Sequence, residues 1–262
     1  MKLELINQSP NGKAHSTPLL FIHGKWHAAW CWAEHFLPYF ADHGYNSYAL
    51  SLRAHGESEG RENLRWTSIA DYVADVAQVA GQMGTDPVLI GHSMGGYITQ
   101  KYLETHIAPA AVLLTSIPPS GLWPTTLRFF RRHPLIFLKA ITTLRLYPIV
   151  ATPHLAREAL FSAGLPGDMI TSYQERLGEE SFRAYLDELG LNRVTPKCVK
   201  TPMLVIGAEN DAFIPKYAIH ATAAAYSTTA VIFPDTAHDV MLENTWQLVA
   251  DRILEFLKER GI

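Results

Sequence analysis

Short apolar runs recur along the chain, each closed by a polar or glycine-containing turn, and this pattern limits the possible folds more than any other feature. Leu19-Leu20-Phe21-Ile22 ends at His23-Gly24, and Tyr48-Ala49-Leu50-Ser51-Leu52 ends near Arg53. Val88-Leu89-Ile90, Ala111 to Leu114, Met203 to Ile206 and Val231-Ile232-Phe233 repeat the pattern. Runs of this length without polar alternation suit strands buried on both faces, so six parallel strands are expected. Between them, Ile69, Val73, Val76, Ala80 and Met83 keep the three-and-four spacing of one helical face, with Asp71 and Asp75 on the other. Trp246, Val249, Ile253 and Phe256 do the same near the carboxyl end. Strands alternating with helices predict right-handed crossovers and a mostly parallel α/β sheet flanked by helices.

The alternation stops after Ser116 and resumes at Thr201-Pro202. The expected organisation is one core from residues 1–116 and 201–262, interrupted at 117–200 by a proline-punctuated helical insertion that reads as a lid. From Ile117 to Arg157 this insertion carries Arg128, Arg131, Arg132, Lys139, Arg145 and Arg157 but no acidic residue, among Phe129, Phe130, Leu135, Ile136, Phe137 and Leu138. Such a stretch suits either an amphipathic helix packed on the core or a surface in weak contact with a lipid interface. With 262 residues, 48% hydrophobic and 18% charged, the chain can bury one large core. Its formal net charge of -3 leaves no basic field for phosphates, so no nucleic-acid partner is expected. Cys31 and Cys198 lack the paired spacing of a metal or redox centre and are expected as free thiols. Met1 to Gln8 lacks a signal-peptide core and no apolar run is long enough to span a bilayer, so the expected address is cytoplasmic.

Gly91-His92-Ser93-Met94-Gly95-Gly96 follows the run Val88 to Ile90 and precedes a helix predicted from Tyr97 to Glu104. That is the strand, tight turn and helix context of a G-x-S-x-G nucleophile. The glycines permit a sharp turn that exposes the serine oxygen, and the helix amino terminus favours developing negative charge. A serine hydroxyl still needs a base. Of the twelve histidines, His238 is preferred because Asp235-Thr236-Ala237-His238 lies just past Val231 to Phe233, at the sheet edge where Ser93 also leaves its strand. Asp211, beyond Met203 to Ile206 in Gly207-Ala208-Glu209-Asn210-Asp211, can orient the imidazole, with Glu209, Asp235 and Asp239 as rival acids. Acyl transfer also needs N–H donors for the oxyanion. Met94 supplies one, and the Lys25 main chain in His23-Gly24-Lys25-Trp26 is assigned the other, with Trp26 as its rival. The Lys25 side chain reads as a solvated surface charge. His55 and His92 read chiefly as packing or hydrogen-bonded groups, although His92 joins Trp26, Trp123 and Phe129 as a candidate substrate contact.

Together these motifs resemble the α/β-hydrolase superfamily, specifically its lidded serine esterases and lipase-like members. His23-Gly24 is similar to the family's oxyanion loop, and Arg53-Ala54-His55-Gly56-Glu57-Ser58 to the loop after the next strand, with Ala54 where glycine is commoner. Gly91 to Gly96, Gly207 to Asp211 and Asp235 to His238 complete the set in the family's order. The stretch His23 to Trp32 also resembles plant methyl esterases and hydroxynitrile lyases locally. The resemblance implies an α/β-hydrolase fold with a helical lid after the sixth strand of the family sheet, and a triad of Ser93, Asp211 and His238. It further implies carboxylic ester hydrolysis through an acyl-enzyme, with no metal and no organic cofactor. Serine replaces the aspartate nucleophile of haloalkane dehalogenases and most epoxide hydrolases, which favours acyl chemistry. The apolar insertion suits a small-molecule ester with a medium-chain acyl group, of glyceride or lysophospholipid type. Thioester or lactone hydrolysis, perhydrolysis, carbon–carbon cleavage, cyanohydrin lysis and a small-molecule receptor with a hydrolase pocket stay open on the same residues.

Overall fold

The computed structural model describes all 262 residues, Met1–Ile262. Its strands are β1 (Leu5–Gln8), β2 (Leu19–Ile22), β3 (Ser47–Leu50), β4 (Val88–His92), β5 (Ala111–Leu114), β6 (Met203–Ala208) and β7 (Ala230–Phe233). They form a single sheet in the order β1-β3-β2-β4-β5-β6-β7, parallel throughout except where β1 meets β3. Every residue of β2, β4, β5 and β6 is buried, as expected for strands covered on both faces. The strand that sequence pattern did not reveal is β1. It is a largely exposed edge strand, so no buried face imposes an apolar run on it.

Four helices flank the first half of the sheet: α1 (Trp30–Ala33), α2 (Phe36–Asp42), α3 (Ile69–Gln82) and α4 (Met94–Tyr102). Helix α3 starts at a reciprocal cap, in which the Ser68 hydroxyl accepts the Asp71 N–H and the Asp71 carboxylate accepts the Ser68 N–H. Its buried stripe is Ile69, Tyr72, Val76, Val79 and Ala80. Asp75 departs from the expected solvent face: it is buried, because its carboxylate accepts both the backbone N–H and the guanidinium of Arg53.

Between β5 and β6 run α5 (Trp123–Arg132), α6 (Pro134–Thr143), α7 (Pro153–Leu160), α8 (Gly167–Gln174) and α9 (Phe182–Leu186), followed by a turn of π-helix at Asp187–Leu191. Pro124, Pro134 and Pro153 sit in the first turns of α5, α6 and α7, where the missing N–H costs nothing, so the prolines that punctuate this segment start its helices. The chain closes with α10 (Lys216–Ala225) and α11 (Trp246–Glu259). No helix is long and apolar enough to cross a membrane.

Strand register decides where the loops meet. Ile22 pairs with Gly91, His92 with Leu114, Leu114 with Ile206, and Ala208 with Phe233. The segments that follow β2, β4, β6 and β7 therefore leave the sheet side by side at its carboxyl edge, where ligands bind in open parallel sheets.

Candidate active site

Ser93 follows β4 with φ 52° and ψ -114°, a backbone conformation that is costly for any residue with a Cβ. Close packing holds it there. A Cβ on Gly95 would overlap the carbonyl oxygens of Ile22 and His23, and one on Gly91 would lie 2.5 Å from Thr99 Oγ1. Only glycine lets β2, the turn and α4 approach this closely. The turn is tied to β5 by the Ser93 N–H, which donates to the Leu114 carbonyl at 3.0 Å.

His238 Nε2 lies 2.9 Å from Ser93 Oγ, and its Nδ1 lies 2.9 Å from Asp211 Oδ2. The other Asp211 oxygen accepts the Phe213 and Ile214 N–H groups at 2.8 and 2.9 Å, which fixes the carboxylate. The histidine backbone is fixed as well: its carbonyl accepts Thr115 Oγ1–H at 2.8 Å and His92 Nε2–H at 3.0 Å. Burial works against charge on His238, but the adjoining Asp211 carboxylate outweighs it and holds the imidazole above its ordinary value. Burial, reinforced by His238, pulls His92 down to about 3, so His92 is neutral.

The rival acids go elsewhere. Glu209 pairs with Lys216 at the surface, Asp235 is exposed, and Asp239 is buried against His27 at 3.0 Å. The ligating atoms of His92, His238 and Asp239 lie within 4.8 Å of one another, yet both His238 nitrogens are already engaged by Ser93 and Asp211. That trio therefore does not offer three free metal ligands.

The loop after β2 lies directly against the nucleophile: a Cβ on Gly24 would be 2.6 Å from His92 Nδ1 and 2.9 Å from Ser93 Cβ. The Lys25 N–H has no hydrogen-bond partner in the structure, whereas the Trp26 N–H faces Glu180 Oε2 at 3.4 Å. Met94 is the first residue of α4, where amides have no acceptor within the helix. These positions suit Lys25 and Met94, rather than Trp26, for receiving an oxyanion. Contrary to its reading as a solvated surface charge, the Lys25 side chain is 8% exposed and pairs with the buried Glu188 carboxylate from the insertion, which compensates its desolvation.

A cavity opens above Ser93 and His238. Trp26 and Phe129 line it, with Phe137, Ile141, Leu146, Ile149, Tyr185 and Phe213. Two expected substrate contacts are not among its lining residues. His92 is 1% exposed and lies beneath Gly24, bonded to the His238 backbone. Trp123 is 62% exposed at the start of α5, outside the stripe of Leu122, Thr125, Thr126 and Phe129 that lines the cavity. Sequence reading missed Tyr185, Phe213 and Glu188. Phe213 was within reach, two residues beyond Asp211; the other two lie in helical sequence whose inward face no local pattern marks.

A family model described as "Alpha/beta hydrolase family" matches residues 19–252. Among curated proteins, protein phosphatase methylesterase 1 of Bos taurus is 33% identical over 102 residues, 38% of this chain and 27% of that protein. A protein of Oryza sativa subsp. indica named "Probable esterase PIR7A" is 27% identical over 164 residues, 57% of this chain and 62% of its own length. The matches therefore span less than two thirds of either relative. Among solved structures, Rv0554 from Mycobacterium tuberculosis superposes with a TM-score of 0.79 at 22% identity, covering 98% of this chain and 93% of that one. The monoacylglycerol lipase of Paleococcus ferrophilus gives 0.73 at 18% identity, covering 99% and 100%. At these identities the structural likeness speaks for the fold.

Proposed function

We propose that this chain, which belongs to the alpha/beta hydrolase family, is a serine hydrolase that cleaves carboxylic esters of apolar, medium-chain acyl groups through an acyl-enzyme. The observation that carries this reading is the continuous hydrogen-bonded line from Ser93 through His238 to Asp211 at the floor of an apolar cavity. Ser93 Oγ attacks the ester carbonyl carbon as its proton passes to His238 Nε2. The Asp211 carboxylate holds the imidazole in the required tautomer and stabilises the imidazolium. The Lys25 and Met94 amides receive the oxyanion. Collapse breaks the bond to the alcohol, which leaves with the proton from His238. Water, deprotonated by His238, then attacks the acyl carbon, and collapse breaks the bond to Ser93 Oγ, which takes the proton back from His238 as the acid is released.

Residues 117–200 act in this reading as a cap. Thr125, Thr126 and Phe129 of α5 and Phe137, Ala140 and Ile141 of α6 supply the cavity wall that would hold the acyl chain. The outer face of the same helices exposes Leu127, Phe130, Leu135 and Leu138 beside Arg128, Arg131 and Lys139. That face supports weak contact with a lipid interface from which an apolar ester would enter.

The test is a series of p-nitrophenyl esters of rising acyl length, assayed with the wild type, Ser93→Ala and His238→Ala. The reading expects an optimum at intermediate length and a loss of about 10⁴-fold or more in kcat in either variant. Wild-type rates in Ser93→Ala, or tight binding of the esters with no turnover by the wild type, would count against it.

A further inference from the structure

The mechanism above does not use a group of acidic side chains buried where the insertion meets the core. Glu188, in the turn after α9, is 0% exposed and pairs with Lys25 Nζ, while its second oxygen has no partner at all. Glu180, 1% exposed, faces the Trp26 N–H at 3.4 Å, His55 Nε2 at 3.3 Å and the Tyr72 hydroxyl at 3.2 Å. The neighbouring Gly178 N–H donates to the Trp26 carbonyl at 2.7 Å. Three groups within 178–188 thus grip two consecutive residues of one loop.

The gripped loop needs holding. Trp26 sits at φ 66°, a left-handed conformation that a bulky residue adopts only under constraint. On the core side, His27 Nδ1 donates to the Lys25 carbonyl at 2.7 Å, and His27 Nε2 lies 3.0 Å from Asp239. The Gly24 carbonyl also accepts the His23 Nδ1–H at 2.8 Å, so the peptide units on both sides of Lys25 are anchored while the Lys25 N–H itself stays free. Glu188 also reaches the cavity wall, since its carbonyl accepts the Leu122 N–H at 2.9 Å, just ahead of α5. A buried ion pair is a poor source of net stability, because desolvation cancels most of its attraction. What such a pair does supply is a fixed position.

We propose that Glu188 is a positioning residue for the oxyanion-binding amide of Lys25, holding the strained loop His23–His27 from the insertion through its buried pair with the Lys25 ammonium. Oxyanion stabilisation is then partly a property of the docked insertion and not of the sheet edge alone. The inference rests on the serine-hydrolase reading and adds a residue to it.

The pair is tested as a unit by Lys25→Met with Glu188→Leu, which removes both charges at similar volume, and singly by Glu188→Gln, assayed at about pH 8 where the Glu188 carboxylate is ionised. In both variants kcat should fall about tenfold or more, with KM for a p-nitrophenyl ester within about twofold of wild type. Affinity for an alkylboronic acid, whose tetrahedral adduct on Ser93 sets an oxygen against the oxyanion donors, should fall with kcat, while the product carboxylic acid binds as before. A merely structural role would lower the melting temperature without separating boronate from product. Unchanged kcat and boronate affinity in the folded double variant overturn the proposal, as does equal loss of boronate and product. If the double variant does not fold, the same comparisons in Glu188→Gln decide alone. Ser93→Ala, run alongside, isolates the underlying reading: full activity there removes the hydrolase reading whatever the pair does.

Discussion

Single residues at this site are placed by neighbours that leave them few alternatives. His238 is held at its backbone by His92 and Thr115 and at its ring by Ser93 and Asp211, so its two nitrogens have fixed partners and the Nδ1–H tautomer follows. The Asp211 carboxylate raises His238 against the effect of burial, which fixes the sign of a pH experiment. Catalysis needs the neutral imidazole, so activity is lost as pH falls through the His238 titration. Asp211→Asn removes the group that raises it. The acid limb of kcat/KM should therefore move to lower pH, while kcat falls by roughly 10⁴-fold because the tautomer is no longer held. A limb that stays in place would mean that another group governs it.

Elements meet here without room to spare, and glycines show where. Gly95→Ala forces a methyl onto the β2 backbone and should cost roughly 1–3 kcal/mol in chemical denaturation, with loss of activity. Gly81, by contrast, lies in α3 where an added methyl would meet nothing within 4 Å, so Gly81→Ala should stabilise by about 0.5–1 kcal/mol. The central strands were legible in the sequence because burial on both faces demands unbroken apolar runs, and the candidate residues Ser93, Asp211 and His238 were chosen because they sit in the segments that follow those strands. What was hidden depends on contacts distant in the chain. Asp75 has the spacing of a solvent-facing residue and is buried only because Arg53 reaches it. Trp123 and Tyr185 are both aromatic residues of the insertion, yet only Tyr185 faces the cavity, and that choice is made by how α5 and α9 are rotated against the core. Lys25 reads as a surface lysine until the insertion folds Glu188 over it.

Across the whole molecule, charge is segregated between the two parts of the insertion. In the basic first part Arg131, Arg132, Lys139 and Arg145 are exposed, whereas the acidic stretch 179–188 turns Glu180, Asp187 and Glu188 inward. If the outer face contacts lipid, Leu135→Asp with Leu138→Asp should reduce co-sedimentation with anionic phospholipid vesicles while leaving hydrolysis of a soluble short-chain ester unchanged. Burial pushes Glu188 up to about 7 despite the Lys25 ammonium, with Glu180 and Asp187 beside it and the Tyr72, Tyr97 and Tyr185 hydroxyls around it. A carboxyl raised in the folded state stabilises below its unfolded value and loses that contribution as pH rises through the folded one. The stability of wild type relative to Glu188→Gln should accordingly decline between about pH 5 and pH 7, as read by denaturant midpoints across that range. The account depends most on a nucleophilic Ser93, and peptide mapping by mass spectrometry after fluorophosphonate treatment tests it directly. One adduct per chain on the peptide containing Ser93, absent from Ser93→Ala and strongly slowed in His238→Ala, is the predicted result; an unlabelled Ser93 in protein that still turns over esters would contradict it.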